Sequence, residues 1–370
     1  MRSMTRKLSP QRRLQPSARM NASSAALVSV IIPTHDRLVM LKDAVESVMR
    51  QTYLSVEVIV VDDASSDGTG AWLATLQEAR LNTLILSSHV ERAVARNLGL
   101  ERAQGQFVLF LDDDDRLRRS SLERLHRALD AHPEAIAAVG GRTLFDEGGQ
   151  ERKLPHPRRR FLHVVWQDLL AGWMAPPGSI LWRTHIVRAA GGWAEEIPAS
   201  GDRELLVRCS RLGPMVFVPG VALEKRVHGG QWRVADIRQV QANWMLAHLA
   251  TLPERQRERG RRLSKTYRYL NDARIAYGNL HSLEALLLYF RAVRISPSVL
   301  RSPLLLPDIA RGVGKSLLGV MLGRRGTLLA RRWKHDMQSK LHRDVYEIKR
   351  QKPGNGMPNH ASTAHRKRGD

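Results

Sequence analysis

The chain has 370 residues, 43% hydrophobic and 26% charged, which gives room for one large or two ordinary domains with full cores and excludes a disordered or fibrous chain. A single cysteine, Cys209, excludes an internal disulfide framework and suits a reducing compartment. The formal charge of +23 calls for an anionic partner or surface, and the excess is concentrated toward the ends: residues 1–20 carry six Lys or Arg and no acid, and residues 324–350 carry nine against three.

Residues 1–26 read as a basic disordered arm without the apolar run of a secretory signal, so export is not expected. From residue 27 to about 146, short apolar runs alternate with amphipathic helices. Val28–Ile32, Val56–Val61, Thr83–Leu86, Phe107–Leu111 and Ala135–Val139 are expected as buried strands. Leu38, Leu41, Val45 and Val48 keep a helical stripe, and Asp67 precedes a helix carrying Trp72, Leu73 and Leu76. This alternation predicts an α/β fold with a mostly parallel sheet covered by helices, whose ligands bind at the C-terminal ends of the strands. The polar residues fall at those ends: Pro33-Thr34-His35-Asp36-Arg37 after the first strand, Asp62 to Gly68 after the second and Asp112 to Asp115 after the fourth. Three strand tips are expected to converge on one crevice.

The fourth tip carries most information, because five apolar residues run into four carboxylates with no turn residue between. Like charges so close protonate or disorder unless a cation lies among them. Alternation along a strand puts Asp112 and Asp114 on one side and Asp113 and Asp115 on the other. A solvated acidic turn opening a helix, capped by Asp115 or Ser120, is the plain alternative. The apolar strand before it and the second acidic strand end favour a metal site.

Residues 147–235 are irregular, with Pro155, Pro157, Pro176, Pro177, Pro198, Pro214 and Pro219 expected to interrupt any long element. They hold Trp166, Trp173, Trp182, Trp193 and Trp232, which suit core packing or stacking against sugar rings. Cys209 lies in an apolar run and is expected as a buried thiol. Residues 236–350 read as a basic helical extension, with Leu280, Leu283, Leu287 and Phe290 on one stripe, and its residues 255–350 are expected to bind anionic lipid surfaces. Residues 351–370 read as a disordered tail. The longest apolar windows, Leu283 to Phe290 and Leu317 to Leu322, fall far below the roughly 18 residues of a spanning helix, so no membrane crossing is expected.

Four motifs, Val28-Ser-Val-Ile-Ile-Pro-Thr-His-Asp-Arg37, Val56 to Thr69, Ala95-Arg-Asn-Leu-Gly99 and Gly105 to Asp115, resemble in order and spacing the family 2 glycosyltransferases of GT-A fold. The resemblance covers about residues 27–232. It implies a GT-A domain over 27–235, with a nucleotide-sugar-binding half to 146 and an acceptor half beyond, and inverting transfer from a nucleotide diphosphate sugar to a glycan, lipid-linked or protein acceptor. Asp112 and Asp114, with His228, would hold Mn2+ or Mg2+. Asp63 would read the base, Thr34 and Asp36 would line the nucleoside pocket with Pro33, His35 and Arg37, and Arg96, Asp112, Asp113 and Arg226 would complete the donor site. Asp202, after Gly191-Gly192-Trp193, fits the general base. Gly201 precedes it where the family has glutamate, which keeps Glu204 as an alternative base, and Glu91-Arg92 stands where the family often has glycine.

The expected setting is the cytoplasm, at the inner face of the membrane through the basic tail, in cell-surface polysaccharide or glycoconjugate synthesis. The competing reading is a catalytically inactive basic GT-A scaffold that binds nucleic acid or anionic polymer. No nucleic-acid module spacing supports it, and joint retention of Asp63, Asp112, Asp114, Asp202 and His228 argues against decay. Nucleotidyl transfer lacks its Gly-rich phosphate loop after the first strand.

Overall fold

The computed structural model describes residues 26–146, 149–153, 161–163, 175–197, 201–228, 249, 254–279, 281–302, 305–306 and 309–321. The expectations for both tails and for Pro155, Pro157, Trp166, Trp173, Pro198, Trp232 and Leu280 lie outside these residues. The chain divides between Arg261 and Arg262 into two compact units.

In the first unit, β1 (Val28–Thr34), β2 (Val56–Asp62) and β4 (Phe107–Phe110) are buried at every position. Near-continuous apolar runs of this kind belong to parallel strands covered on both faces. Between them come α1 (Leu38–Met49), α2 (Thr69–Thr75), β3 (Leu81–Ile85) and α3 (Arg92–Arg102). β3 pairs with β2 alone and leaves Asn82, Thr83 and Ile85 exposed, so the strand expected as buried is an edge strand. There follow β5 (Arg116–Leu117), α4 (Ser121–Ala131), β6 (Ala137–Asp146), β7 (Glu151–Lys153), β8 (Phe161–His163), β9 (Ile180–Arg183), α5 (Thr184–Ala189), α6 (Gly201–Ser210) and β10 (Met215–Val227).

The strands make one sheet in the order β3-β2-β1-β4-β9-β6-β10-β5, with β7 on β6 and β8 on β10. Pairing is parallel through β3-β2-β1-β4 and mixed beyond: β9 is antiparallel to β4 and β6, while β6 and β10 are parallel. Pro219 does not end an element here. β10 runs through it for 13 residues, slipping register against β6 between Phe217 and Val221, where Pro219 has no N–H to give and Gly220 takes φ 92°. β6 extends to Asp146, well past the expected Val139, because Gly140 lets Ala222 approach: a Cβ there would lie 2.5 Å from that of Ala222.

Register aligns the tips. Thr34 pairs with Asp62 and Ile31 with Phe110, so β1 outruns β4 and the chain leaving Phe110 passes beside Thr34. Val30, Ile32, Val58, Val60, Leu109 and Leu111 pack against Leu41, Val45 and Val48 of α1 on one side of the sheet. On the other, α3 packs on β1 through Gly99.

The second unit contains most of α7 (Glu254–Gly278), then α8 (Ser282–Ile295), a 3-10 turn at Pro297–Arg301 and helical residues 309–321. α8 buries Ser282, Ala285, Leu286, Tyr289 and Ala292, with Gly312 against the Tyr289 hydroxyl. No described helix is long and apolar enough to cross a membrane.

A Cβ at Gly99 would overlap Cγ2 of Ile31, which is fully buried. Gly99→Ala is therefore expected to destabilise the first unit by about 1–3 kcal/mol despite the better helix propensity of alanine. Equilibrium unfolding followed by Trp fluorescence measures it, and a stabilised variant would contradict this packing.

Candidate active site

Strand geometry ends at Leu111, and the four aspartates form a turn in which Asp115 N donates to Asp112 O at 3.1 Å. The expected two-and-two alternation fails for that reason. Asp113 turns alone toward β1, accepting from Thr34 Oγ1 at 2.9 Å and Arg37 Nη1 at 3.0 Å. Asp112, Asp114 and Asp115 gather instead, with one carboxylate oxygen of each within 4.8 Å of the others.

Each carboxylate meets a cationic or ionisable group from a different element. Arg96 of α3 pairs with Asp112, and Arg37 also reaches Asp114 at 3.3 Å. His228 Nε2 lies 3.1 Å from Asp114 Oδ2, and Lys225 Nζ donates to Asp115 Oδ2 at 3.3 Å. Arg226 braces the cluster from behind: its backbone N–H donates to Asp115 at 3.0 Å, Nε to the Asp114 carbonyl at 3.1 Å and Nη2 to Asp43 at 2.7 Å.

Burial pushes the Asp115 carboxyl up to about 8, with Asp112 and Asp114 adding to the effect and Lys225 opposing it. Burial also raises Asp113. At Asp112 burial is outweighed by Arg96, Lys225 and Arg92, which hold it well below the usual carboxylate range. Asp114 Oδ1 is buried with no hydrogen-bond partner. A partnerless carboxylate oxygen inside a cluster of hard oxygen donors fits a divalent cation. Asp112 and Asp114 would hold it with Asp115, a residue the strand alternation had assigned to the other side.

At the tips of β1 and β2, Asp63 N donates to Thr34 O at 2.9 Å and joins the two strands. The buried Asp63 carboxylate accepts from Val90 N at 2.6 Å and meets His89 Nδ1 at 2.9 Å, while His35 Nδ1 lies 2.6 Å from its carbonyl. The His35 and His89 rings are 4.5 Å apart, and only tertiary packing reveals His89. Asp36, at φ 50°, accepts from Ser66 N at 2.6 Å, which lowers its carboxyl and ties the two loops together. Pro33 ends buried within β1.

The third side is built from α3, the Gly191-Gly192-Trp193 turn and α6. Asn97 clamps the turn, donating to Trp193 O at 2.9 Å and accepting from Trp193 N at 2.8 Å. The Arg96 guanidinium stacks on the Trp193 ring at 4.1 Å. Trp193 is thus buried under Arg96, and Trp182 is buried in β9, so neither is an open platform for a sugar. Asp202 lies in the first turn of α6, accepting from Arg203 N at 2.8 Å. Burial raises its carboxyl, while Arg96 and Asp112, close enough to act on it, pull in opposite directions. Arg142 of β6, not singled out by sequence, faces both Asp115 and Asp202. Glu204 is engaged by Arg208, whose Nη2 donates to it at 2.6 Å and to Gly192 O at 2.7 Å, so it holds the turn instead of facing the cluster.

Residues 29–186 match the profile described as glycosyl transferase family 2. A Bacillus subtilis protein named as a teichuronic acid biosynthesis glycosyltransferase, TuaG, is 42% identical over 132 residues, 35% of this chain and 52% of that one. The GalNAc(5)-diNAcBac-PP-undecaprenol beta-1,3-glucosyltransferase of Campylobacter jejuni is 36% identical over 129 residues, 34% of this chain and 41% of that one. The chain spans about half the length, or less, of these relatives. Among solved structures, residues 1–349 of S. aureus TarS in complex with UDP-GlcNAc align with TM-score 0.54 at 17% identity, covering 80% of this chain and 92% of that one. The likeness is one of fold, the α/β GT-A arrangement.

A raised folded-state carboxyl holds a proton that the unfolded chain has released, so stability is greatest at low pH and falls as pH rises toward the folded value. For Asp115 that window runs from about 4 to about 8. The EDTA-treated protein is expected to lose stability across it, and Asp115→Asn to flatten the slope. Thermal melts between those limits test this; parallel slopes for wild type and variant would refute a protonated Asp115.

Proposed function

We propose that this chain, whose residues 29–186 are a glycosyl transferase family 2 domain, is an inverting transferase that moves a sugar from a nucleotide diphosphate sugar to an acceptor hydroxyl. One observation supports the reading: Arg96 pairs with Asp112 of the carboxylate cluster and its charge also acts on Asp202, so the cluster and a buried carboxylate outside it meet at one guanidinium. A leaving diphosphate and an attacking hydroxyl need two such groups within reach of one reacting carbon.

As the acceptor oxygen bonds to the anomeric carbon from the face opposite the diphosphate, Asp202 takes the hydroxyl proton. The bond between that carbon and the diphosphate oxygen breaks, its electron pair leaves with the diphosphate, and configuration inverts. Burial raises Asp202 and makes it a stronger base than a solvated carboxylate. Asp112, Asp114 and Asp115, with His228 beside them, would hold Mn2+ or Mg2+, which supplies Lewis-acid neutralisation of the diphosphate. Asp63, with Thr34, His35 and Asp36, forms the nucleoside side, and Arg37 and Arg96 bring guanidinium charge to its phosphate end.

The acceptor is proposed to be a cell-surface glycan or its lipid-linked precursor, since relatives carry names of that kind. The chain would then work in the cytoplasm at the inner face of the membrane. Cys209, buried and pushed up to about 12 by that burial, has no part in the chemistry.

Asp202→Asn is expected to lower kcat by about 10²–10⁴-fold with donor binding intact, and Asp114→Ala to abolish metal-dependent nucleotide binding. Because Asp202 is raised, kcat/KM should fall as pH drops through a value above the ordinary carboxylate range, and this limb should vanish in Asp202→Asn. Turnover and calorimetry with a panel of nucleotide sugars, Mn2+, Mg2+ and EDTA test both. Failure of every nucleotide to bind with any metal would overturn the transferase and leave the basic scaffold.

A further inference from the structure

We propose that the exposed face of α8 is a docking surface for an anionic lipid bilayer. This deepens the membrane part of the reading above and rests on that part, but does not depend on the transfer chemistry.

Sequence periodicity puts Leu283, Leu287 and Phe290 on one stripe, and the natural expectation is that the stripe faces the core. It does not. Those three side chains are 59%, 52% and 60% exposed. They stand at i, i+4 and i+7, one line along the helix, while Ser282, Ala285, Leu286, Tyr289 and Ala292 fill the buried side. α8 is therefore apolar on two faces, and only one of them is used within its own unit.

At 14 residues α8 is about 21 Å long, too short for a hydrocarbon core of about 30 Å but suited to lying in the interfacial plane. The same line continues to Arg294, and Arg291 lies beside Phe290; both are exposed, and Glu284 near the other end pairs with His281 at 3.3 Å. Apolar side chains directed into the acyl boundary, with arginines at their edge to meet headgroup phosphates, are the pattern of an in-plane anchor.

Charge chooses between the possible occupants. Residues 262–321 carry nine Lys or Arg against three Asp or Glu. A second copy of the chain would bring the same excess against itself, whereas an anionic headgroup layer is complementary.

The test is co-sedimentation of the full chain with vesicles of phosphatidylcholine alone or mixed with phosphatidylglycerol, at low and high salt. Wild type is expected to bind the mixed vesicles, to bind them less at high salt, and to leave pure phosphatidylcholine unbound. Leu287→Glu with Phe290→Glu should reduce binding about tenfold or more, with an unchanged thermal melt showing that the unit still folds. Arg291→Glu with Arg294→Glu should weaken binding and its salt dependence. Three results would overturn the proposal: wild type that ignores phosphatidylglycerol, the double Leu287/Phe290 variant binding as wild type does, or a variant that changes only from dimer to monomer in sedimentation. Nucleotide binding measured on the same samples reports separately on the transferase reading.

Discussion

Four consecutive carboxylates at the tip of one buried strand are the constraint on which the rest of this structure depends. Buried charges persist only when paired, and no single element can pair four of them. Arg37 comes from the end of β1, Arg96 from α3, and Lys225 and His228 from the end of β10. Those elements are distant in sequence and meet only when the sheet closes from β1 through β4 to β10. The charge cluster thus acts as a register check on the fold, since a slipped strand would leave an aspartate buried without its partner. It also leaves Asp114 Oδ1 without one even in the correct register, a deficit that a cation would fill.

α3 carries the coupling between the two sides of the crevice. Arg96, Asn97 and Gly99 follow one another within little more than a turn and so point in three directions. Arg96 faces Asp112, Asn97 holds the turn at Trp193, and Gly99 seats the helix on Ile31. The turn answers in kind. Gly192 has φ 71°, and a Cβ there would stand 2.6 Å from Asn97 Oδ1, so both backbone and space require glycine. This short motif is the joint that holds the Trp193 turn beside the carboxylates.

β1, β2 and β4 were legible in the sequence because they are buried at every position and announce themselves by apolar runs alone, whereas edge strand β3 is exposed where an apolar run implied burial. Thr34, Asp63, Asp112 and Asp114 all fell at predicted tips for that reason. Legibility stopped where tertiary contact overrides local pattern. The expected strand stopped at Val139, yet close approach of Ala222 to Gly140 carries it on to Asp146; Pro219 was expected to interrupt, yet a bulge absorbs it. Asp115 was assigned by strand alternation to a chain that had already left the strand. On α8, periodicity found one apolar stripe, of which Leu283, Leu287 and Phe290 are exposed, and missed the buried side of Ser282, Ala285, Leu286, Tyr289 and Ala292. Small Ala285 and Ala292, with Gly312 against Tyr289, permit the closer packing, so the larger leucines were left outside.

The glycine ahead of Asp202 is a departure of charge more than of shape. Gly201 has helical backbone, and a Cβ there would meet the Trp193 ring at 3.7 Å, an ordinary contact, so neither conformation nor space demands glycine. A glutamate would add a negative charge next to a buried aspartate and raise it further by repulsion. Without one, the ionisation of Asp202 is set by burial against the Arg203 N–H that donates to it and the pull of Arg96, the same guanidinium that pairs with Asp112. Any ligand that draws Arg96 away from Asp112 therefore changes the charge felt by Asp202. Arg142 of β6, which faces both Asp115 and Asp202, joins Arg96 in linking the two sides of the site electrostatically.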